Sequence, residues 1–246
     1  LAIALRYDSS ARTLFNLGLY SNISWVGFLA TLLAGGTIVV QDGFDARRTL
    51  EAIEAEKITN FSMVPIQYQR LLEDKKLAEF DLSSIKAVMS CGSPLHAELK
   101  QALFNHFGPV IIELFGLTEG VITTLEPEEA EGRMASVGKP LIGTDIKIIG
   151  EDDLEVATGV SGEIVAVGRI VTPGYLNRED ATREATWTDE AGTAWLRTGD
   201  IGQLDEAGYL YIVDRKKDMI LSGGQNIYPQ DIEAVLIGHP LVNEVA

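Results

Sequence analysis

Two short stretches of this 246-residue sequence combine residue types that do chemistry at close spacing. Phe115-Gly116-Leu117-Thr118-Glu119 follows an apolar run over 110–114, and Cys91-Gly92-Ser93-Pro94 follows another over 85–90. At a strand end, an aromatic ring, a glycine, a hydroxyl and a carboxylate offer a stacking face, room, a donor to phosphate and an oxygen ligand for Mg²⁺. Gly92 lets backbone approach a flat ligand closely, and Ser93 before Pro94 reads as a helix N-cap. Alone, the first of these is a weak signal and the second an ordinary strand-to-helix turn.

The elements that must position these residues alternate. Helical patterns over 24–34, 46–56, 65–74 and 94–107 separate apolar runs over 37–40, 60–64, 85–90 and 110–114. Gly35-Gly36 closes the first helix and Pro65 opens the third. Such alternation predicts parallel strands with crossover helices, so both chemical stretches leave one carboxyl edge, where open α/β sheets bind ligands. After Leu125 the texture changes to short strands over 145–149, 162–167, 201–204 and 209–213 with turn residues between them, which predicts antiparallel sheet. A third texture begins at Asp214, with a basic run, apolar Met219-Ile220-Leu221, a Ser222-Gly223-Gly224 turn and a helix over 229–237.

Composition narrows the partners. Twenty Lys and Arg against 36 Asp and Glu give a formal net charge of −16, and so acidic a surface repels nucleic acid and anionic lipid headgroups. The single Cys91 forms no internal disulfide, and His96, His106 and His239 are too scattered for a metal cluster, which fits a reducing cytoplasm. No apolar run reaches the 18 or so residues of a membrane span. The sequence opens on LAIALRYDSS and stops at LVNEVA as an apolar run begins, and it reads as the middle of a longer protein.

Three further segments follow in order: GEIVAVGRIVTPGYLN (162–177), LRTGD (196–200) and VDRKKDMILSGGQNIYPQDIE (213–233). With GLTE before them they resemble the successive core motifs of the acyl-adenylate-forming superfamily of AMP-dependent synthetases and ligases, across essentially the whole chain. The resemblance implies an α/β fold in three parts: a parallel-sheet α/β subdomain over 1–125, a distorted antiparallel β-barrel subdomain over 126–214, and the start of a small mobile α+β C-terminal domain over 215–246. It implies that a carboxylate attacks the α-phosphate of Mg-ATP to give acyl-AMP, and that a thiol, usually of CoA, displaces AMP. Asp200 would then accept both ribose hydroxyls, Arg215 donate to ribose or phosphate, Thr118 donate to phosphate and Glu119 hold Mg²⁺. Phe115 would stack on adenine beside Gly116, with Gly92, Ser93 and Pro94 along the ring's edge, and Lys217 would be the hinge about which the C-terminal domain swings.

The departures are as informative. The superfamily's phosphate loop would lie upstream of Leu1 and its catalytic lysine beyond Ala246. Lys139, Lys216 and Lys217 do not replace that lysine, so the isolated chain is expected to be inactive. Asn16 stands where acyl-CoA ligases often carry His, and is otherwise a loop amide. Asn226, in GGQNIYP, favours fatty-acyl or aryl CoA ligases over amino-acid-activating domains, and Gln225 replaces the usual Glu. An apolar stripe over 24–33 with Trp25, Val26, Phe28 and Leu29 either lines an acid pocket or is plain core. Cys91 reads as a buried thiol without a catalytic role. The expected function is an acyl-CoA synthetase using ATP, Mg²⁺ and CoA on a fatty or aryl acid. The rivals are a domain that loads a carrier protein and a silent adenylate-binding protein.

Overall fold

The structure, a computed structural model, describes residues 2–218, 220–222, 225–227, 229–237, 239, 241–242 and 245. The chain divides into two compact units, Leu1–Leu141 and Ile142–Ala246.

The first unit is built on a seven-stranded sheet. Strands β1 (Arg12–Phe15), β2 (Thr37–Val40), β3 (Asn60–Met63), β4 (Ala87–Ser90) and β5 (Ile111–Leu117) pair in parallel in the order β2-β1-β3-β4-β5. Antiparallel β6 (Gly120–Leu125) and β7 (Lys139–Pro140) extend the sheet beyond β5. Parallel neighbours need crossovers, and α1 (Asn22–Ala34), α2 (Ala46–Glu56), α3 (Pro65–Leu72) and α4 (Ala97–Phe107) supply them. Local signals set the helix starts. The Asp45 carboxylate caps α2 by accepting the Arg48 N–H at 2.8 Å, and Pro65 occupies the first position of α3.

Successive residues of β4 show how the sheet is covered. Val88 joins the core of Leu50 and Ile53 from α2, Tyr68 and Leu71 from α3 and Leu103 from α4, whereas Ala87 and Met89 join Ile23 and Val26 of α1. This two-residue alternation between clusters is that of a sheet buried on both faces. Strand β1 was not expected from the sequence. Its four residues RTLF carry no alternation, and its place between β2 and β3 is decided by pairing on both sides.

The second unit is antiparallel. Strands β8 (Thr144–Ile149), β9 (Gly162–Gly168), β10 (Thr186–Thr188), β11 (Ala194–Leu204) and β12 (Leu210–Arg215) form one sheet in the order β10-β11-β9-β8, with β12 also paired to β11. It curls into a half-barrel over Ile149, Val165 and Trp195. Helix α5 (Glu179–Glu184) leads into β10, and a hairpin of β13 (Ile220–Ser222) and β14 (Gln225–Ile227) precedes α6 (Pro229–Ile237). The expected α/β class with an antiparallel barrel-like second half is therefore observed. Met219 and the Gly223-Gly224 part of the expected turn lie outside the described residues. No helix among the described residues is long and apolar enough to cross a membrane.

Candidate active site

In the first unit, β4 and β5 run in parallel with Ser90 opposite Glu113, so the residues after each occupy the same edge. The connector after β4 is held at both ends by buried residues, Cys91 and Leu95, and presents Gly92, Ser93 and Pro94 to solvent. Gly92 has φ +91°, and a Cβ there would sit 3.2 Å from Ile23 Cδ1 and 3.2 Å from Val64 Cγ1. Ser93 is not a helix cap. Helix α4 begins at Ala97 with His96 as its cap residue, because proline holds the residue before it extended and Leu95 descends into the core before the chain coils.

The second stretch is also not a simple strand end. Strand β5 continues to Leu117 and returns at once as β6, so Phe115 and Gly116 lie within the strand and Thr118 and Glu119 form the two-residue hairpin tip. The register shifts beside Phe115, which faces Thr123, while Gly116 faces Val121. Such a bulge twists the ribbon and re-aims its tip. Phe115 and Glu119 are half-buried, and Gly116 and Thr118 are exposed.

In the second unit, Asp200 lies inside β11 rather than in a turn before a strand. Arg197 pairs with Val165 and Ile201 with Glu163, so residues 198–200 bulge opposite Ile164. The Thr198 hydroxyl shapes the bulge, donating to the Ile164 carbonyl at 2.9 Å and accepting the Asp200 N–H at 3.0 Å. Gly199, at φ +72°, makes the reversal. Asp200 is 5% exposed and stands opposite Arg215 of β12, whose Nε is 3.5 Å from its Oδ1. Burial pushes the Asp200 carboxyl above its ordinary value, against the pull of Arg215. Lys217 is exposed in the turn after β12, closed by the Asp218 N–H on the Arg215 carbonyl at 3.0 Å.

A family model described as AMP-binding enzyme matches residues 2–176. The chain belongs to the AMP-binding enzyme family. A feruloyl-CoA synthase from Amycolatopsis is 35% identical over 220 residues, covering 89% of this chain and 44% of the relative. A 2-succinylbenzoate–CoA ligase from Bacillus cereus is 37% identical over 252 residues, covering 97% of this chain and 51% of the relative. Among solved structures, an amide bond synthetase from Marinactinospora thermotolerans superposes with TM-score 0.89 at 29% identity over 98% of this chain and 49% of its own. O-succinylbenzoate coenzyme A synthetase from Bacillus subtilis, in complex with AMP, gives 0.87 at 32% identity over 99% of this chain and 50% of its own. The chain spans about half the length of the curated relatives it matches.

Other side chains set the local electrostatics of this AMP-binding enzyme chain. Glu163 Oε2 accepts from both Arg197 and Lys216 at 2.8 Å, which ties Lys216 into a structural network. Lys100 and Glu113 form a buried ion pair beneath the 91–96 connector. Sequence reading passed over Glu163, Lys100 and Glu113, although a carboxylate inside the apolar run VIIELF was a visible signal. Burial, and then the Glu113 charge, push the Cys91 thiol up to about 12, so it stays protonated at neutral pH. Asn16, 4% exposed just after β1, has neither amide atom hydrogen-bonded among the described residues. The stripe on α1 is not plain core, since Trp25 is 45% exposed beside Leu29, with its ring edge-on to Phe28 at 5.6 Å.

Proposed function

We propose that this chain is the nucleotide-handling part of an AMP-forming acid–thiol ligase that activates an aryl carboxylic acid with ATP and passes the acyl group to CoA. Asp200 carries the reading. A carboxylate so buried, with its cation no closer than 3.5 Å, is an acceptor pair that the vicinal hydroxyls of a ribose would satisfy. Phe115 then stacks on the base, with Gly116 leaving room and Gly92, Ser93 and Pro94 along its edge. Thr118 donates its hydroxyl proton to a phosphate oxygen, and Arg215 donates to ribose or phosphate.

Mg²⁺ would supply neutralisation of phosphate charge. Glu119 is the residue that would hold it, its carboxylate oxygens being hard ligands suited to that cation. An acid oxygen attacks the α-phosphorus, pyrophosphate leaves with the bonding electron pair, and a thiol then displaces AMP. Lys217 is the pivot between the two half-reactions. The proposed division is 1–125, 126–214 and 215–246, working with a phosphate loop and a lysine supplied outside the chain, in the cytoplasm. Support for an aryl acid comes from the similarity to a feruloyl-CoA synthase and a 2-succinylbenzoate–CoA ligase and from the aromatic side chains Phe15, Trp25 and Phe28 around α1, the first and last 5.9 Å apart.

The test is pyrophosphate release by the full-length protein across aryl and fatty acids, followed by thioester formation with CoA or a phosphopantetheine carrier. Aryl acids with CoA are expected to be turned over fastest. Release with no acid, despite AMP binding, would leave a silent adenylate-binding protein.

A further inference from the structure

The Lys100–Glu113 pair has no role in the nucleotide chemistry proposed for Asp200 and Phe115, and its cost calls for one. Lys100 on α4 is 1% exposed and Glu113 on β5 is 6% exposed. The Lys100 ammonium pairs with Glu113 Oε2 and donates to the Ser136 carbonyl at 3.0 Å. The backbone N–H of Leu95 also favours the charged form of Glu113. Burial pushes the Glu113 carboxyl up, while Lys100 and the Leu95 N–H pull it down. Removing two charges from water costs more than an isolated pair commonly returns, and apolar residues of similar volume often serve stability equally well. Burial of such a pair is thus weak evidence that stability is what it serves.

What it joins is specific. Leu95 follows Gly92-Ser93-Pro94 directly, and Glu113 precedes Phe115 by two residues on the same strand. The ion pair thus ties helix α4, which begins directly after the connector, to the strand that carries the aromatic ring. Lys100 fastens that carboxylate in turn to residue 136, whose side-chain oxygen accepts the Gly138 N–H at 2.9 Å just before β7. Three backbone segments meet on two side chains. We propose that Lys100 and Glu113 are positioning residues that set the spacing between the Gly92–Pro94 edge and the Phe115 ring, and through it the affinity for the adenine end of a nucleotide. This inference rests on the nucleotide reading given under Proposed function.

The experiment compares two double variants of the full-length protein by calorimetry with AMP, by the KM values for ATP and for the acid, and by thermal melting. Lys100→Met/Glu113→Leu removes both charges and every polar atom of the pair. Lys100→Gln/Glu113→Gln removes the charges but leaves an amide pair able to bridge α4 and β5. The first is expected to melt no earlier than wild type yet to bind AMP about tenfold more weakly and raise KM for ATP alone, and the second to recover AMP affinity to within about threefold. Equal AMP binding by wild type and both variants overturns the proposal, as does equal loss in both, which would mark the pair as merely structural. Failure of the wild type itself to bind AMP would instead overturn the nucleotide reading.

Discussion

A carboxylate buried as Asp200 is works against the free protein and, in the proposed function, for the nucleotide complex. Its pKa is raised in the folded state by burial, so the native state holds the proton more tightly than the unfolded chain. Stability linked to Asp200 is therefore greatest in acid and falls as pH rises from the ordinary carboxylate value through the raised one, leaving the ionised group a net cost at neutral pH. Asp200→Asn should accordingly leave the melting temperature at pH 7 unchanged or higher. The same substitution weakens at least one charge-assisted hydrogen bond worth about 1.5–3 kcal/mol, so the dissociation constant for ATP should rise about tenfold or more. Paired melting and calorimetry decide it, and a lower melting temperature with unchanged affinity would remove Asp200 from the ribose.

Elements place the chemical groups through irregularities rather than through regular pairing. The bulge at 198–200 in β11, the register shift beside Phe115 in the β5–β6 hairpin and the uncoiled 91–96 connector each re-aim one proposed contact. Two of them depend on glycines that can be tested. Gly199→Ala meets no neighbour within 4 Å but forces φ +72° on an L-residue, at a cost of about 1–2 kcal/mol. Gly92→Ala adds to a similar backbone strain two contacts at 3.2 Å with Ile23 and Val64. Urea unfolding should show Gly92→Ala to be the more destabilising, with unchanged m-values, and both variants should bind AMP more weakly than wild type. The reverse order of stability would mean that Ile23 and Val64 yield freely and that the connector is not fixed by packing.

At the scale of the molecule, the formal charge of −16 has to coexist with the polyanionic substrate proposed above. Local cations and donors must therefore overcome a repulsive background field, which screening by salt relaxes. Groups that stabilise charge developing at the α-phosphorus commonly supply most of the rate enhancement in such a transfer. The 246-residue chain by itself is accordingly expected to bind AMP weakly and to release no pyrophosphate above background with any acid, while the full-length protein releases it. Turnover by the chain alone at the full-length rate would relocate the catalytic groups into it.

Hydrophobic period and punctuation by Gly and Pro carried much of the local structure. The ends of α2, the start of α3 and the strand β2 are legible in residues 37–65, because caps and apolar spacing act over a few residues. The ordered motifs GLTE, LRTGD and DRKKD likewise point to the family and to the candidate residues. Contacts between distant residues were not legible. Strand β1 exists because β2 and β3 flank it, and β6 because Leu117 and Gly120 close a hairpin that the crossover pattern did not suggest. The delayed start of α4 follows from Leu95 being drawn into the core. Whether Lys100 and Glu113 face solvent or each other depends on which helix covers which strand, and pairing across the chain is a property of the folded packing that no local pattern encodes.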